Sequence, residues 1–302
     1  MTISLVSFLL ALILSPLLLG VINRTKAIFA GRRGQPLLQT YYDLLKLLGK
    51  GAVYSRTTTW VFRAGPIIGL AAAMGAAALM PLGGTMALAA FPGDLVLFAY
   101  FLGLMRFATV LAALDTGSSF EGMGASREVQ FAALAEPALL LALAALARQA
   151  SSLSLSGIVP ALGTGAWGQA APVLLHAAAA LILVLLVENA RIPFDDPNTH
   201  LELTMIHEVM VLDHGGVDFA FILYGAALKM WALGALVVGL LVPVRTGNPW
   251  IDLGAGVAGM LALAVGIGVV ESTMARLRLI RVPQLLIGAG VLSVFALVFA
   301  LR

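Results

Sequence analysis

Eight runs of about twenty apolar residues constrain this chain more than any other feature, because that length of helix matches the hydrocarbon thickness of a bilayer. They lie near 3–22, 61–81, 93–114, 129–149, 170–188, 217–242, 250–271 and 283–301. In hydrocarbon every backbone N–H and C=O must be bonded within its own segment, which makes runs of this kind helices. Composition agrees: 61% of residues are hydrophobic and 11% are charged, against roughly a quarter charged in a soluble domain. The expected fold is all-α, one polytopic integral membrane helix bundle over 1–302 with eight transmembrane helices. Larger loops fall at about 23–60, 115–128, 189–216 and 272–282.

Those loops carry the positive charge. Thirteen Lys and Arg residues lie on their side of the bundle, and only Arg148, Arg245 and Arg302 on the other. By the positive-inside rule the loops face the cytoplasm and both termini face outward. The first run lacks a basic segment before it, so it reads as a span and not as a cleaved signal peptide. The net charge of +3 is spread over loops and is no nucleic-acid footprint. There are no cysteines, which excludes disulfides, cysteine-held iron–sulfur clusters and thiolate metal sites in this chain.

The first loop has helical periodicity. Leu37, Leu38, Tyr41, Leu44, Leu45 and Leu48 recur on one face, with Gln39, Asp43, Lys46 and Lys50 on the other. Pro36 can open this helix, and Gly49 and Gly51 can end it. The pattern predicts an amphipathic helix lying on the bilayer surface, as an anchor, a lid or a docking surface.

A few charges fall inside the spans, where each costs roughly 2.5–3.5 kcal/mol on insertion scales. Arg106, Glu136 and Lys229 lie within spans, and Glu188 and Glu271 close two of them. Arg106 and Lys229 suit interhelical ion pairs. Glu136 and Glu188 suit proton handling, since a carboxyl in apolar surroundings can take up and release a proton near neutrality. His176, alone in its span, reads as a core residue.

The stretch from Glu188 to Asp218 is the chemical centre. Seven of the 15 acidic residues and three of the four histidines fall in it. Pro193 and Pro197 interrupt any helix leaving the fifth span. Thr199 with Glu202 three residues on is a capping-box pattern, predicting a helix that runs to Asp213 and stops at Gly215–Gly216. On that helix His200, Thr204, His207 and Glu208 share a polar face, and Glu202 falls among Met205, Ile206 and Val209. His207-Glu208 begins like a zinc-protease motif, but residue 211 is valine. His200, His207 and His214 lie two turns apart, too wide for one tetrahedral site. No metal site is expected, and no phosphate loop, dinucleotide fingerprint or nucleophile–base pair appears.

The segment E-N-A-R-I-P-F-D, Glu188 to Asp195, resembles the signature of the quinone-site membrane subunit of respiratory complex I. The loop from Arg32 to Leu47, and Arg127 followed nine residues later by Glu136, are similar to further motifs of that family. After P-F-D the complex I subunit usually continues with alternating glutamates. Here Asn198 and His200 replace two of them and Glu202 remains. The sequence P-N-T-H-L-E-L-T-M-I-H-E, Pro197 to Glu208, instead resembles the related subunit of formate hydrogenlyase and other membrane-bound group 4 [NiFe]-hydrogenases. Ala135 also stands where complex I often has a tyrosine.

The resemblance implies a non-catalytic membrane anchor of a prokaryotic cytoplasmic-membrane hydrogenase complex. No cofactor is expected in this chain, with the nickel–iron centre and iron–sulfur clusters in partner subunits. The implied partners are the hydrogenase large and small subunits, an iron–sulfur subunit, antiporter-like membrane subunits and the lipid bilayer. Glu136, Glu188, Asp195, Asp196, Glu202, Glu208 and Lys229 are the expected proton-coupling residues. Arg32, Arg33, Asp43, Arg127, Arg191, Pro193, His200 and His207 are the expected partner-facing ones. A quinone-binding complex I subunit is the nearer alternative. A stand-alone transporter is the farther one, since transporters bind at paired broken helices near the midplane, whereas this acid cluster lies at one face.

Overall fold

The computed structural model describes residues 2–195 and 205–302. Among the described residues the chain is helical, with no strand. In order the helices are α1 (Thr2–Phe29), α2 (Gln39–Leu48), α3 (Trp60–Leu79), α4 (Asp94–Asp115), α5 (Ser119–Ala150), α6 (Leu155–Ala161), α7 (Thr164–Glu188), α8 (Gly216–Leu241), α9 (Pro249–Thr273) and α10 (Val282–Ala300). All but α2 and α6 are long and apolar enough to cross a membrane. The chain is a multi-pass membrane helix bundle. Because the spans alternate, the segments after α1, α4, α7 and α9 gather at one end, here termed the charged end.

Small residues set the helix spacing. A Cβ on Gly268 of α9 would lie 2.7 Å from the Thr25 Cβ and 3.0 Å from the Ile22 carbonyl of α1. Glycine therefore lets these two backbones approach closely. Ser293 of α10 donates to the Ala138 carbonyl of α5 at 2.8 Å, closing another crossing. At the end opposite the charged one, acidic groups cap backbone. Asp94 accepts from Leu155 N at 2.7 Å and from the Ser154 hydroxyl at 2.6 Å. Asp252 accepts from Thr246 N at 2.8 Å. Arg245 donates to the carbonyls of Val159, Gly239 and Val244 at 3.1, 3.3 and 2.6 Å.

Two expected helix starts are corrected here, and the expected amphipathic helix is found. The fourth span does not begin near 129. Helix α5 starts at Ser119, because the polar groups of its first turns find partners inside the protein: Glu121 accepts from Asp213 N at 3.2 Å, and Arg127 donates to the Met205 carbonyl at 2.7 Å. The fifth span begins earlier too, at Thr164, and bends at Ala170 (φ −125°) two residues before Pro172. The amphipathic helix exists as α2, with no fully buried residue, but it leans on α1 and α8. The cause lies in α1. Pro16 has no N–H to give the Leu12 carbonyl, and Tyr224 of α8 donates to that oxygen at 2.9 Å. Tyr41 of α2 donates to the next carbonyl, that of Ile13.

Candidate functional site

The apolar spans leave their few charged side chains no water, so these seek one another. Arg106 of α4 sits at the centre. Its Nε donates to Glu128 Oε1 at 3.1 Å, and its two terminal nitrogens pair with Glu136 and Glu188. The guanidinium fork thereby joins α4 to two positions on α5 and to the end of α7. Lys229 of α8 adds a longer contact, its Nζ 3.8 Å from Glu188 Oε2. Arg106 and Glu188 are buried, whereas the Glu136 side chain is 50% exposed. Glu136 opens sideways into a crevice of about 300 Å³ between α4 and α5, walled by Val96, Tyr100, Gly103, Leu139 and Leu140.

The network continues to the charged end through the loop after α7. His207 Nε2 lies 3.1 Å from Glu128 Oε2, and its Nδ1 lies 3.5 Å from Asp195 Oδ2. Asp195 is buried and pairs with Arg276 at 2.9 Å. It also accepts from the backbone N–H groups of Ile206 and His207, both at 3.3 Å. Burial opposes ionisation of Asp195, but the hydrogen bond and charge of His207, with Arg276, outweigh it and hold the carboxyl below its ordinary value. Burial alone would lower the His207 imidazole, but Glu128 and the bond to Asp195 raise it. Among the described residues four carboxylates thus face Arg106, Lys229 and Arg276, with the His207 imidazole between Glu128 and Asp195.

A second cluster stands apart. Glu271 of α9, its side chain fully buried, meets Lys26 of α1 at 2.8 Å and Arg191 at 3.3 Å. The close approach of α1 and α9 at Gly268 brings Lys26 and Glu271 together. Near the start of α8, His214 stacks on Phe62 of α3, with ring centroids 3.9 Å apart and planes at 8°. Burial pushes the His214 imidazole down.

Of the expected coupling residues, Glu136, Glu188, Asp195 and Lys229 fall in the main network. Glu208 opens a 3-10 turn over Glu208–Val211 and is partly buried. Asp196, Glu202 and His200 lie outside the described residues, as does the start of the helix expected from Thr199. From Met205 onward that helix is replaced by the single 3-10 turn. Its backbone groups are taken by Asp195 and Arg127 instead of by one another. Arg32, Arg33 and Asp43 are exposed, and Asp43 accepts from Gln39 at 2.8 Å. Pro193 follows a cis peptide bond, and its carbonyl accepts from Leu277 N at 2.9 Å. Arg191 and His207, expected to face a partner, are drawn inward by Glu271 and Glu128. Arg127 lies within α5 and not in a loop. Glu128 is the network residue that sequence reasoning missed. Its signal was its spacing of eight from Glu136, about two helical turns, which was hidden while the helix was taken to begin after it.

The family of NADH dehydrogenase matches residues 1–301. The chain belongs to that family, of the complex I subunit 1 type. Among its relatives is formate hydrogenlyase subunit 4 of Escherichia coli (strain K12), 31% identical over 283 residues, which are 90% of this chain and 89% of the relative. Hydrogenase-4 component C of the same organism is 34% identical over 232 residues, covering 77% and 72%. An NADH-quinone oxidoreductase subunit of Anaplasma phagocytophilum (strain HZ) is 28% identical over 219 residues, covering 68% and 63%. The fold also matches a chain in the structure of the membrane-bound sulfane sulfur reductase, an archaeal respiratory membrane complex. The TM-score is 0.83 with 22% identity, over 99% of this chain and 98% of that one. These relatives are named as subunits or components, and this member of the NADH dehydrogenase family is likewise a membrane subunit of a larger complex, which implies neighbouring subunits.

Proposed function

We propose that the chain anchors an energy-converting [NiFe]-hydrogenase of the formate-hydrogenlyase type and couples its redox chemistry to proton movement. The observation that carries this reading is the continuous chain of acids and bases running from the half-exposed Glu136 to the buried Asp195. Such a chain is costly in hydrocarbon, and structural pairing alone does not call for so many titratable groups in line. The similarity to formate hydrogenlyase subunit 4 and hydrogenase-4 component C supports the hydrogenase assignment.

In this reading the charged end faces the cytoplasm of a prokaryotic inner membrane and carries the hydrogenase large and small subunits and the iron–sulfur subunit. The nickel–iron centre and iron–sulfur clusters reside in those partners. The half-exposed Glu136 passes protons through the α4–α5 crevice toward an antiporter-like neighbour, because a carboxyl left bare to lipid is unfavourable. Moving one proton against 100 mV costs about 2.3 kcal/mol, which a downhill electron-transfer step can supply.

The test is a gentle detergent pull-down on this chain, assayed for hydrogen evolution from reduced methyl viologen and for quinone reduction. Nickel-dependent hydrogen evolution supports the reading, and quinone reduction without nickel replaces it with a complex I role. In proteoliposomes of the complex, Glu136→Gln is expected to cut protons moved per hydrogen formed by about a hundredfold, the lower end of what a positioned acid–base group contributes.

A further inference from the structure

Among the described residues, the main network has a single place where two of its carboxylates meet across one imidazole. Glu128 belongs to α5 and is tied to Arg106. Asp195 belongs to the segment after α7 and is tied to Arg276. His207 lies between them, with Nε2 3.1 Å from one and Nδ1 3.5 Å from the other, and both nitrogens are shielded from solvent and have no aligned hydrogen-bond partner at rest among the described residues. Among the described residues, further charges near it are Lys229 of α8, which repels its proton, and Arg127, whose guanidinium donates to the Met205 carbonyl. Guanidinium groups do not release protons in proteins. Between Glu128 and Asp195, therefore, the group that can both accept and donate near neutrality is the imidazole.

We propose that His207 is the proton-transfer junction between the Asp195 segment and the membrane-embedded carboxylates of α5 and α7. A proton arriving on the ionised Asp195 carboxylate passes to Nδ1, while Nε2 releases its own proton to the Glu128 carboxylate. Asp195 ends ionised, Glu128 ends neutral, and the ring stays neutral overall with one proton moved. Reorientation of the ring resets the tautomer. Two ring nitrogens facing two separate acids make this geometry suit transfer; a pure charge contact would need only one. The proposal rests on the coupling role given above.

The experiment uses the whole complex in proteoliposomes, with hydrogen evolution and internal pH followed together. His207→Gln keeps a hydrogen-bonding side chain that cannot titrate. His207→Lys keeps a positive charge but offers one nitrogen. The expected result is that both variants lower protons moved per hydrogen by about a hundredfold, and that the pH dependence of transport flattens in the Gln variant. Rescue by lysine overturns the junction in favour of a charge contact. Transport within twofold of the parent complex in His207→Gln also overturns it, while leaving the coupling role standing. If the parent complex moves no protons at all, the coupling role fails and the junction with it. Should the histidine variants not assemble, Glu128→Gln removes the acceptor while keeping a partner for Nε2. It is expected to give the same loss, and undiminished transport in it overturns the proposal.

Discussion

Arg106 draws partners from positions 22, 30 and 82 residues away in the chain. Removing its charge takes a cationic partner from three carboxylates. Arg106→Gln is expected to cost about 3–5 kcal/mol, the range for breaking a buried pair, read as a lowered melting temperature in detergent. Adding Glu128→Gln should recover part of that loss, since one of those charges goes with it. At this scale the sequence was partly readable. Arg106, Glu136, Glu188 and Lys229 stood out as charges within apolar runs. Which of them pair did not, because pairing is fixed by helix packing across long sequence separations. The pairing of Arg191 and His207 was hidden for a related reason. Both sit in a polar stretch that suggests exposure, and the acids that bury them, Glu271 and Glu128, lie on other helices.

Helix α5 carries the loop that closes the network. A Cβ on Gly124 would lie 3.0 Å from the Ile206 carbonyl and 3.0 Å from Met210 Cγ. The glycine is thus the seat on which the segment after Met205 rests, one turn before Glu128. Gly124→Val should lift that segment and separate His207 from Glu128, at a cost of about 1–3 kcal/mol for overpacking. Hydrogen exchange of residues 205–211 is expected to quicken in this variant, while exchange in α9 and α10 stays as it was. Apolar run length sufficed to find the eight spans, because a bilayer rewards length and hydropathy directly. It did not find where α5 and α7 begin. Their first turns are polar or glycine-bearing, and they are held by contacts within the protein that hydropathy does not register. The capping-box pattern at Thr199 predicted a helix through residues 205–213, where tertiary hydrogen bonds to Asp195 and Arg127 prevail over local periodicity.

For the molecule as a whole, the charged end answers to pH. The raised imidazole of His207 stabilises docking fully below the ordinary histidine value of about 6.5, and this is lost as pH climbs through its raised value. The depressed imidazole of His214 acts oppositely, contributing above about 6.5 and losing its effect as pH falls through its lowered value. The depressed carboxyl of Asp195 is lost only further into acid. Intrinsic-rate-corrected hydrogen-exchange protection of residues 205–216 should peak near pH 6.5, with flanks no steeper than about tenfold per pH unit for one proton. His207→Gln should remove the alkaline flank and His214→Gln the acid one.

The two ends of the bundle differ in kind. At the end of Asp94, Arg245 and Asp252, side chains grip backbone groups, and such bonds fail only if a helix end unwinds. At the charged end Asp195, Arg127 and Glu121 hold loop backbone too, but the ion pairs of Arg106, Arg276 and Lys26 join side chain to side chain and can exchange partners while every helix stays intact. Helix α8 has 26 residues and so is about 39 Å long. With its far end held, an exchange of partners that moves the near end by about 3 Å tilts the whole rod by only about 4°, given that length. Small angles about a fixed pivot are therefore the bundle's softest deformation, and a neighbour packed along its flank would feel each exchange as a graded lean.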